Sequence, residues 1–234
     1  MAGVKSITQA VILAGGQGTR LRPLTDTMPK PMVPVGGRPF IEHLIDLFKK
    51  NGIKEVVFLL GYLPEKVMEH FGDGSDFGIK IKYHVGEVSD ETGTRIRNAG
   101  HLLDNFFLLT YCDNYWPLHL EAMLDFYNNS GAVASTTVYN NKDGGAEYGT
   151  ENNIHVAGDS FVAKYDKERQ DPHLNGVDIG FFILNKNVLN LAPASNFSFE
   201  REILSRLAVQ NQLAAYRTDH PYYWITTPES LKSA

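Results

Sequence analysis

Apolar positions follow two patterns that alternate along the first part of the chain. The short runs Ala10-Val11-Ile12-Leu13, Glu55 to Leu60 and Phe106 to Tyr111 read as strands buried on both faces. Ile79 to His84 alternates, as a half-buried strand does, and Ala132 to Tyr139 is a further strand. Between these runs the apolar period lengthens to that of a helix. Phe40 to Asn51 puts Ile41, Leu44, Ile45 and Phe48 on one face, and Gly52 supplies a residue that ends it. Pro64 to Phe71, Gly93 to Leu103 and Leu118 to Asn129 also read as helices. Strands alternating with helices predict an α/β class: three layers, α/β/α, around a mostly parallel central sheet.

Beyond Tyr139 the pattern loosens. Asn140 to Gly149 reads as a loop, Phe161 to Tyr165 and Val177 to Leu184 as strands of a smaller layer, and Phe199 to Ala208 as a helix. A chain of 234 residues is long enough for one large core. The expectation is a single domain over 1–234 with two halves, about 1–139 and about 140–234.

Composition narrows the classes. A formal net charge of −5 gives no basic field for nucleic acid. No apolar run approaches the ~20 residues of a membrane span. Met1 to Gln9 lacks the apolar core of a secretory leader, so a cytoplasmic protein is expected. The lone Cys112 excludes an internal disulfide and reads as a small buried hydrophobe. The eight histidines show no metal-ligand spacing. Pro228-Glu229-Ser230 starts like a helix, and the stop at Leu231-Lys232-Ser233-Ala234 is what a fragment or a cut at a domain boundary would show.

Candidate chemistry concentrates where the first strand ends. Leu13-Ala14-Gly15-Gly16-Gln17-Gly18-Thr19-Arg20-Leu21-Arg22-Pro23-Leu24 is followed by Pro29-Lys30-Pro31-Met32. Three glycines let successive N–H groups turn toward one anion, and two arginines and a lysine follow closely. Such a loop suits a polyphosphate. It lacks the Gly-Lys-Ser/Thr of the P-loop, and its Gly-Gly-x-Gly spacing is not the dinucleotide fingerprint. Local chemistry alone leaves open an ordinary strand–turn–helix connection with solvated arginines.

The whole string resembles the signature of the sugar-phosphate nucleotidyltransferases, the NDP-sugar pyrophosphorylases: Leu-Ala-Gly-Gly-x-Gly-Thr-Arg-Leu-x-Pro-Leu-Thr, then Pro-Lys-Pro. The nearest likeness is to the short bacterial heptose and mannose 1-phosphate guanylyltransferases and N-acetylmuramate 1-phosphate uridylyltransferases. The resemblance implies a Rossmann-like fold whose first half binds nucleotide and whose second half binds sugar phosphate. It implies Mg²⁺-dependent transfer of a nucleotidyl group from NTP to a sugar 1-phosphate, here GTP with a heptose or mannose 1-phosphate. It leaves a homodimer, and fusion to or cooperation with a sugar-phosphate phosphatase, open.

Residue by residue, the resemblance gives Leu13, Ala14, Gly15, Gly16, Gly18, Thr19 and Arg20 to the nucleotide. Arg20 is expected on the β/γ-phosphates, and Lys30 on the reacting phosphates. Asp113, just past a buried strand, is expected to hold Mg²⁺. Glu91-Thr92-Gly93-Thr94 resembles the turn beside base and ribose, so Thr92 and Gly93 join the nucleotide set; the preceding Glu87 is placed with them, although Gly86-Glu87-Val88 departs from the segment in which relatives read the base. Tyr148-Gly149, Lys167, Asp178 and Gly180, and Glu200 match the sugar-phosphate set, Asp178 and Glu200 as acceptors for sugar hydroxyls. Read blandly, Asp113 caps the next turn and Glu91-Thr92 is a helix N-cap.

One departure stands out. Relatives end the sugar half with Trp-x-Asp-x-Gly-Thr-Pro-Glu, whose aspartate is a second metal carboxylate. Here the string is Tyr223-Trp224-Ile225-Thr226-Thr227-Pro228-Glu229. Thr226 is a weak ligand, and Asp178 or Asp219 is a candidate for the missing charge. Two further readings therefore stay open: a weakly catalytic binding module of a larger protein, and a uridylyl- or cytidylyltransferase for another phosphate.

Overall fold

The structure, a computed structural model, describes residues 6–158 and 160–233; residues 1–5 of the segment read for a leader, and Ala234 at the carboxyl end, lie outside them. The chain runs from β1 (Gln9–Ala14) through a small hairpin, β2 (Pro34–Val35) and β3 (Arg38–Pro39), into α1 (Phe40–Lys50). Then come β4 (Glu55–Leu60), α2 (Pro64–Phe71), β5 (Lys80–Val85), α3 (Thr92–Asn98), β6 (Phe106–Tyr111) and β7 (Asn114–Tyr115). The rest is α4 (Leu120–Ser130), β8 (Ala134–Tyr139), β9 (Ile154–Ala157), β10 (Phe161–Tyr165) and β11 (Val177–Asn185). A π-helical turn (Phe199–Leu204), α5 (Ser205–Val209), β12 (Leu213–Thr218), β13 (Tyr223–Trp224) and α6 (Pro228–Ser233) complete it.

Nine strands form one sheet in the order β5-β4-β1-β6-β11-β8-β12-β10-β9. Only β11 and β10 run against the others, which makes the sheet mixed and mostly parallel. Both faces are covered, as continuous apolar strands require. Ala10, Ile12 and Ala14 of β1 pack with Phe40, Ile41 and Leu44 of α1 on one side. Val11 and Leu13 pack with Ile96 of α3, Phe199 and Leu207 on the other.

The strands expected to form a separate small layer belong to the main sheet. β11 inserts between β6 and β8, so the second half is built onto the first through backbone hydrogen bonds. Two expected helices are also shorter or altered. The helix expected to reach Leu103 ends at Asn98, with a 3₁₀ turn over Gly100–Leu102. The one expected over Phe199 to Ala208 opens as the π turn before α5. No helix among the described residues is long and apolar enough to cross a membrane.

Candidate active site

The chain leaves β1 toward β4 on one side and returns later to β6 on the other, so β1 and β6 flank a topological switch point. In α/β sheets the crevice at such carboxyl ends is where ligands sit. A cavity of about 420 Å³ opens there, and a second, of about 390 Å³, shares Tyr111, Asp113 and Lys167 with it.

The glycine loop forms one wall of the first cavity. Leu13, Gly15, Gly16, Gly18, Thr19 and Arg20 all line it. Gly18 has φ +64°, and its carbonyl accepts Thr25 Oγ1 at 2.8 Å. Ala14 is buried in the sheet behind the loop. Arg22 turns away and pairs with Asp26 at 3.2 Å.

Arg20 reaches across to the second half. Its Nη1 lies 3.1 Å from Glu147 Oε1 and 2.9 Å from the Tyr148 hydroxyl. Burial works against the guanidinium charge, but the contacts with Tyr148 and Glu147 outweigh it and raise its pKa. Lys30 begins a 3₁₀ turn between two prolines and donates to Oδ2 of Asp113. Burial again works to lower the ammonium pKa, and the adjacent carboxylate more than offsets this.

Asp113 lies two residues past the end of β6, and its backbone carbonyl accepts from Ile225 N at 3.0 Å. That bond, beside the β13–β7 pair, sets Thr226 on the wall of the same cavity. Thr226 is 1% exposed, and its hydroxyl has no hydrogen-bond partner among the described residues. One carboxylate beside an unpartnered hydroxyl fits Mg²⁺, which accepts few protein carboxylates and takes other ligands from phosphates and water. No group of three or more His, Cys, Asp or Glu that could hold a metal occurs among the described residues. The candidates for the missing charge do not supply it here. Asp219 is tied to Asn140 and Lys142, and Asp178 is enclosed by donors of its own.

Of the residues expected near the base, Thr92 lines the cavity, while Glu87 and Gly93 do not. The Glu87 side chain is exposed. The room that Gly93 provides is taken by Phe197: a Cβ there would stand 2.2 Å from its ring. Gly93 and Thr94 N–H groups both donate to the Phe197 carbonyl, at 3.1 and 3.2 Å. Close approach at Gly93 thus serves packing between α3 and the π turn.

In the second cavity Tyr148, Lys167, Asp178 and Glu200 meet. Gly149 and Gly180 stand outside its wall; a Cβ on Gly180 would come within 2.2 Å of Tyr111. Asp178 is half-buried on the cavity wall and accepts from Thr136 (2.9 Å), Tyr165 (2.7 Å) and the Gly180 N–H (2.9 Å). Burial dominates, and its carboxyl is pushed up to about 6. Glu200 is held the opposite way. Burial opposes its charge, but the Lys167 ammonium and the hydroxyls of Ser198, Thr92 and Tyr111 bring its pKa down to about 2.

Sequence reasoning missed three contributors. Arg95 is 3% exposed and donates to the carbonyls of Leu60 (2.9 Å), Glu87 (2.7 Å) and Val88 (3.1 Å). It thereby ties the end of β4 to the chain following β5 beneath the glycine loop. Tyr111 joins the Glu200 cluster at 2.7 Å. Arg169 lies over the Tyr148 ring at 4.2 Å and lines the second cavity. A signal for Arg95 was present: it falls among the buried positions of α3, where a charge needs an internal purpose. Cys112 is buried as expected, and burial pushes its thiol up to about 12, so it is no nucleophile.

Comparison with known proteins agrees with this geometry. The model of the nucleotidyl transferase family matches residues 9–231. The chain is 32% identical over 238 residues to the probable glucose-1-phosphate cytidylyltransferase of Bacillus subtilis (strain 168), covering 92% of this chain and 89% of that protein. It is 32% identical over 226 residues to the mannose-1-phosphate guanylyltransferase of Mycobacterium tuberculosis, covering 95% of this chain but 62% of that enzyme's length. Against the D-glycero-alpha-D-manno-heptose 1-phosphate guanylyltransferase of Campylobacter jejuni it is 32% identical over 195 residues, covering 82% of this chain and 83% of the other. The fold matches that of a putative glucose-1-phosphate thymidylyltransferase from Bacillus anthracis with a TM-score of 0.83, at 18% identity and covering 96% of this chain and 92% of that one.

Proposed function

The chain belongs to the nucleotidyl transferase family, and from that premise we propose that it makes an NDP-sugar from a nucleoside triphosphate and a sugar 1-phosphate. The observation that carries this reading is the placement of Arg20, Lys30 and Lys167 around Asp113, where the two cavities join.

Both reactants are anions, so neutralising and aligning phosphates is the main catalytic task. A sugar-phosphate oxygen forms a bond to the α-phosphorus, the α–β bridging bond breaks, and pyrophosphate departs with the electron pair. Arg20, with a planar fork on the 3₁₀ turn after the glycine loop, suits the β- and γ-phosphates. Lys30 suits the reacting α-phosphoryl group, because the same ammonium already sits against Asp113. Lys167, on the border of both cavities, suits the incoming phosphate. Asp113 would hold Mg²⁺, with Thr226 as a neutral neighbour, and the ion would neutralise charge on the triphosphate.

Within this class, guanylyl transfer to a heptose or mannose 1-phosphate is our reading, and it rests on the likeness to the guanylyltransferases above. A cytidylyl reading has its own support in the equal identity to the Bacillus subtilis protein. Incubating the protein with Mg²⁺, each of ATP, GTP, CTP, UTP and dTTP, and a panel of hexose and heptose 1-phosphates, while following pyrophosphate, separates them. Release with GTP and a heptose or mannose 1-phosphate is expected. Release with CTP alone would replace the guanylyl reading, and silence with every pair would remove the transferase reading.

A further inference from the structure

The resemblance expects Glu200 to bind sugar, yet here donors of the protein itself saturate Oε2 and one more occupies Oε1. A carboxylate offers about four lone-pair positions. Thr92 Oγ1 (2.7 Å), Ser198 Oγ (2.5 Å) and Lys167 Nζ (3.1 Å) take Oε2, and the Tyr111 hydroxyl (2.7 Å) takes Oε1. The residue is 4% exposed, whereas the Lys167 side chain is 39% exposed and borders both cavities. Two of the four donors come from the first half: Thr92 starts α3, and Tyr111 ends β6 two residues before Asp113. The other two, Ser198 and Lys167, come from the second half.

We propose that Glu200 is a positioning residue and not a sugar ligand: it holds the Lys167 ammonium at the junction of the cavities for the sugar phosphate, and links that lysine to the nucleotide side through Thr92 and Tyr111. This rests on the transferase reading and names how its phosphate subsite is built. The π turn is the local device that makes the link. Ser198 caps it by accepting from Arg201 N, and Phe199 N donates to Thr92 Oγ1 at 2.9 Å. These bonds draw the first residue of the turn and the carboxylate after it onto α3.

The test compares wild type, Glu200→Gln, Lys167→Met and the double variant. If Glu200 acts through Lys167, Glu200→Gln raises KM for every accepted sugar 1-phosphate by a similar factor, about ten- to a hundredfold for a charge-assisted bond. Deoxy analogues lose as much, and the double variant is no worse than Lys167→Met alone. Additive losses, or a loss abolished by deleting one sugar hydroxyl, would make Glu200 a sugar ligand and overturn the proposal. A second readout needs no substrate: acylation of lysine amines by a small reagent, mapped by peptide mass. Lys167 is expected to label several-fold faster in Glu200→Gln with other lysines unchanged, and equal labelling overturns the proposal. An inactive wild type whose Lys167 still responds to Glu200→Gln would sink the transferase reading and keep the contact. Glu200→Asp, which keeps the charge but retracts it by a methylene, replaces the Gln variant should that variant not fold.

Discussion

A Cβ at Gly15 would stand 2.3 Å from the guanidinium carbon of Arg95, so the first glycine of the loop leaves the space in which a buried arginine lies. Gly61, after β4, opens the other side: a Cβ there would meet Arg95 Nη1 at 2.6 Å. The guanidinium fits between two backbones that carry no side chain. Burial lowers its pKa, and the carbonyls around it provide the partners that a carboxylate would otherwise supply.

Arg95→Met is therefore expected to destabilise the fold by about 1–2 kcal/mol, since it removes three charge-assisted hydrogen bonds while the Leu60 and Glu87 carbonyls keep the Gly86 and Asp90 N–H donors. Urea unfolding measures it. Nucleotide affinity should fall too, because the end of β4 and the chain after β5 lose their tie under the loop. A midpoint unchanged from wild type would show that Arg95 is dispensable.

Arg20→Ala and Asp113→Ala should each lower kcat by roughly two orders of magnitude, the scale for losing one charge contact in a transition state. Their side effects differ. Arg20 is half-exposed and its removal should leave stability within about 0.5 kcal/mol. Asp113→Ala strands a buried ammonium at Lys30 and should be destabilising by a few kcal/mol. Near-normal turnover in either variant removes the role assigned to that residue.

How far the sequence could be read depends on the range of the interactions involved. β1, β4, β6, α1 and α2 were legible because burial writes a period into neighbouring residues. The loop set Gly15 to Arg20 was legible because its members are consecutive. β9, β12 and the place of β11 were not, since pairing partners such as Phe182 and Thr136 are far apart in sequence. The same limit hid the Glu200 cluster, where Thr92 and Glu200 are 108 positions apart. Gly93 left two readings open for a different reason. A missing Cβ tells of a close approach but not of what approaches, and here it is Phe197.

Two carboxylates of the second cavity give stability opposite pH dependences. Asp178, with its pKa raised from 3.8 to about 6, binds a proton more tightly when folded than when unfolded. Its contribution is therefore present below pH 4 and is lost as pH rises to about 6, by on the order of 3 kcal/mol. Glu200, lowered from 4.5 to about 2, contributes above pH 4.5 and loses that contribution as pH falls toward 2. Asp178→Asn should keep the shape, as the Tyr165 hydroxyl can turn to accept. The stability of wild type relative to this variant should decline between pH 4 and 6, read by urea unfolding at each pH. A difference that is flat across that window would show that Asp178 is not perturbed by burial.

Thr226 offers the sharpest test of the single-carboxylate site. Its hydroxyl is buried on the cavity wall that Asp113 also lines, with no partner among the described residues, a cost that Thr226→Val removes at nearly the same volume. Thr226→Val should therefore be neutral or stabilising, by up to about 1 kcal/mol in urea unfolding. Thr226→Asp does the reverse, setting a second carboxylate next to the first. Without a cation the two repel, and the variant should be less stable than wild type; with Mg²⁺ the loss should be recovered. The Mg²⁺ concentration for half-maximal pyrophosphate release should fall about tenfold, as a second carboxylate enters the coordination shell. If Thr226→Asp requires as much Mg²⁺ as wild type, position 226 does not face the metal, and Asp113 works with phosphate and water ligands alone.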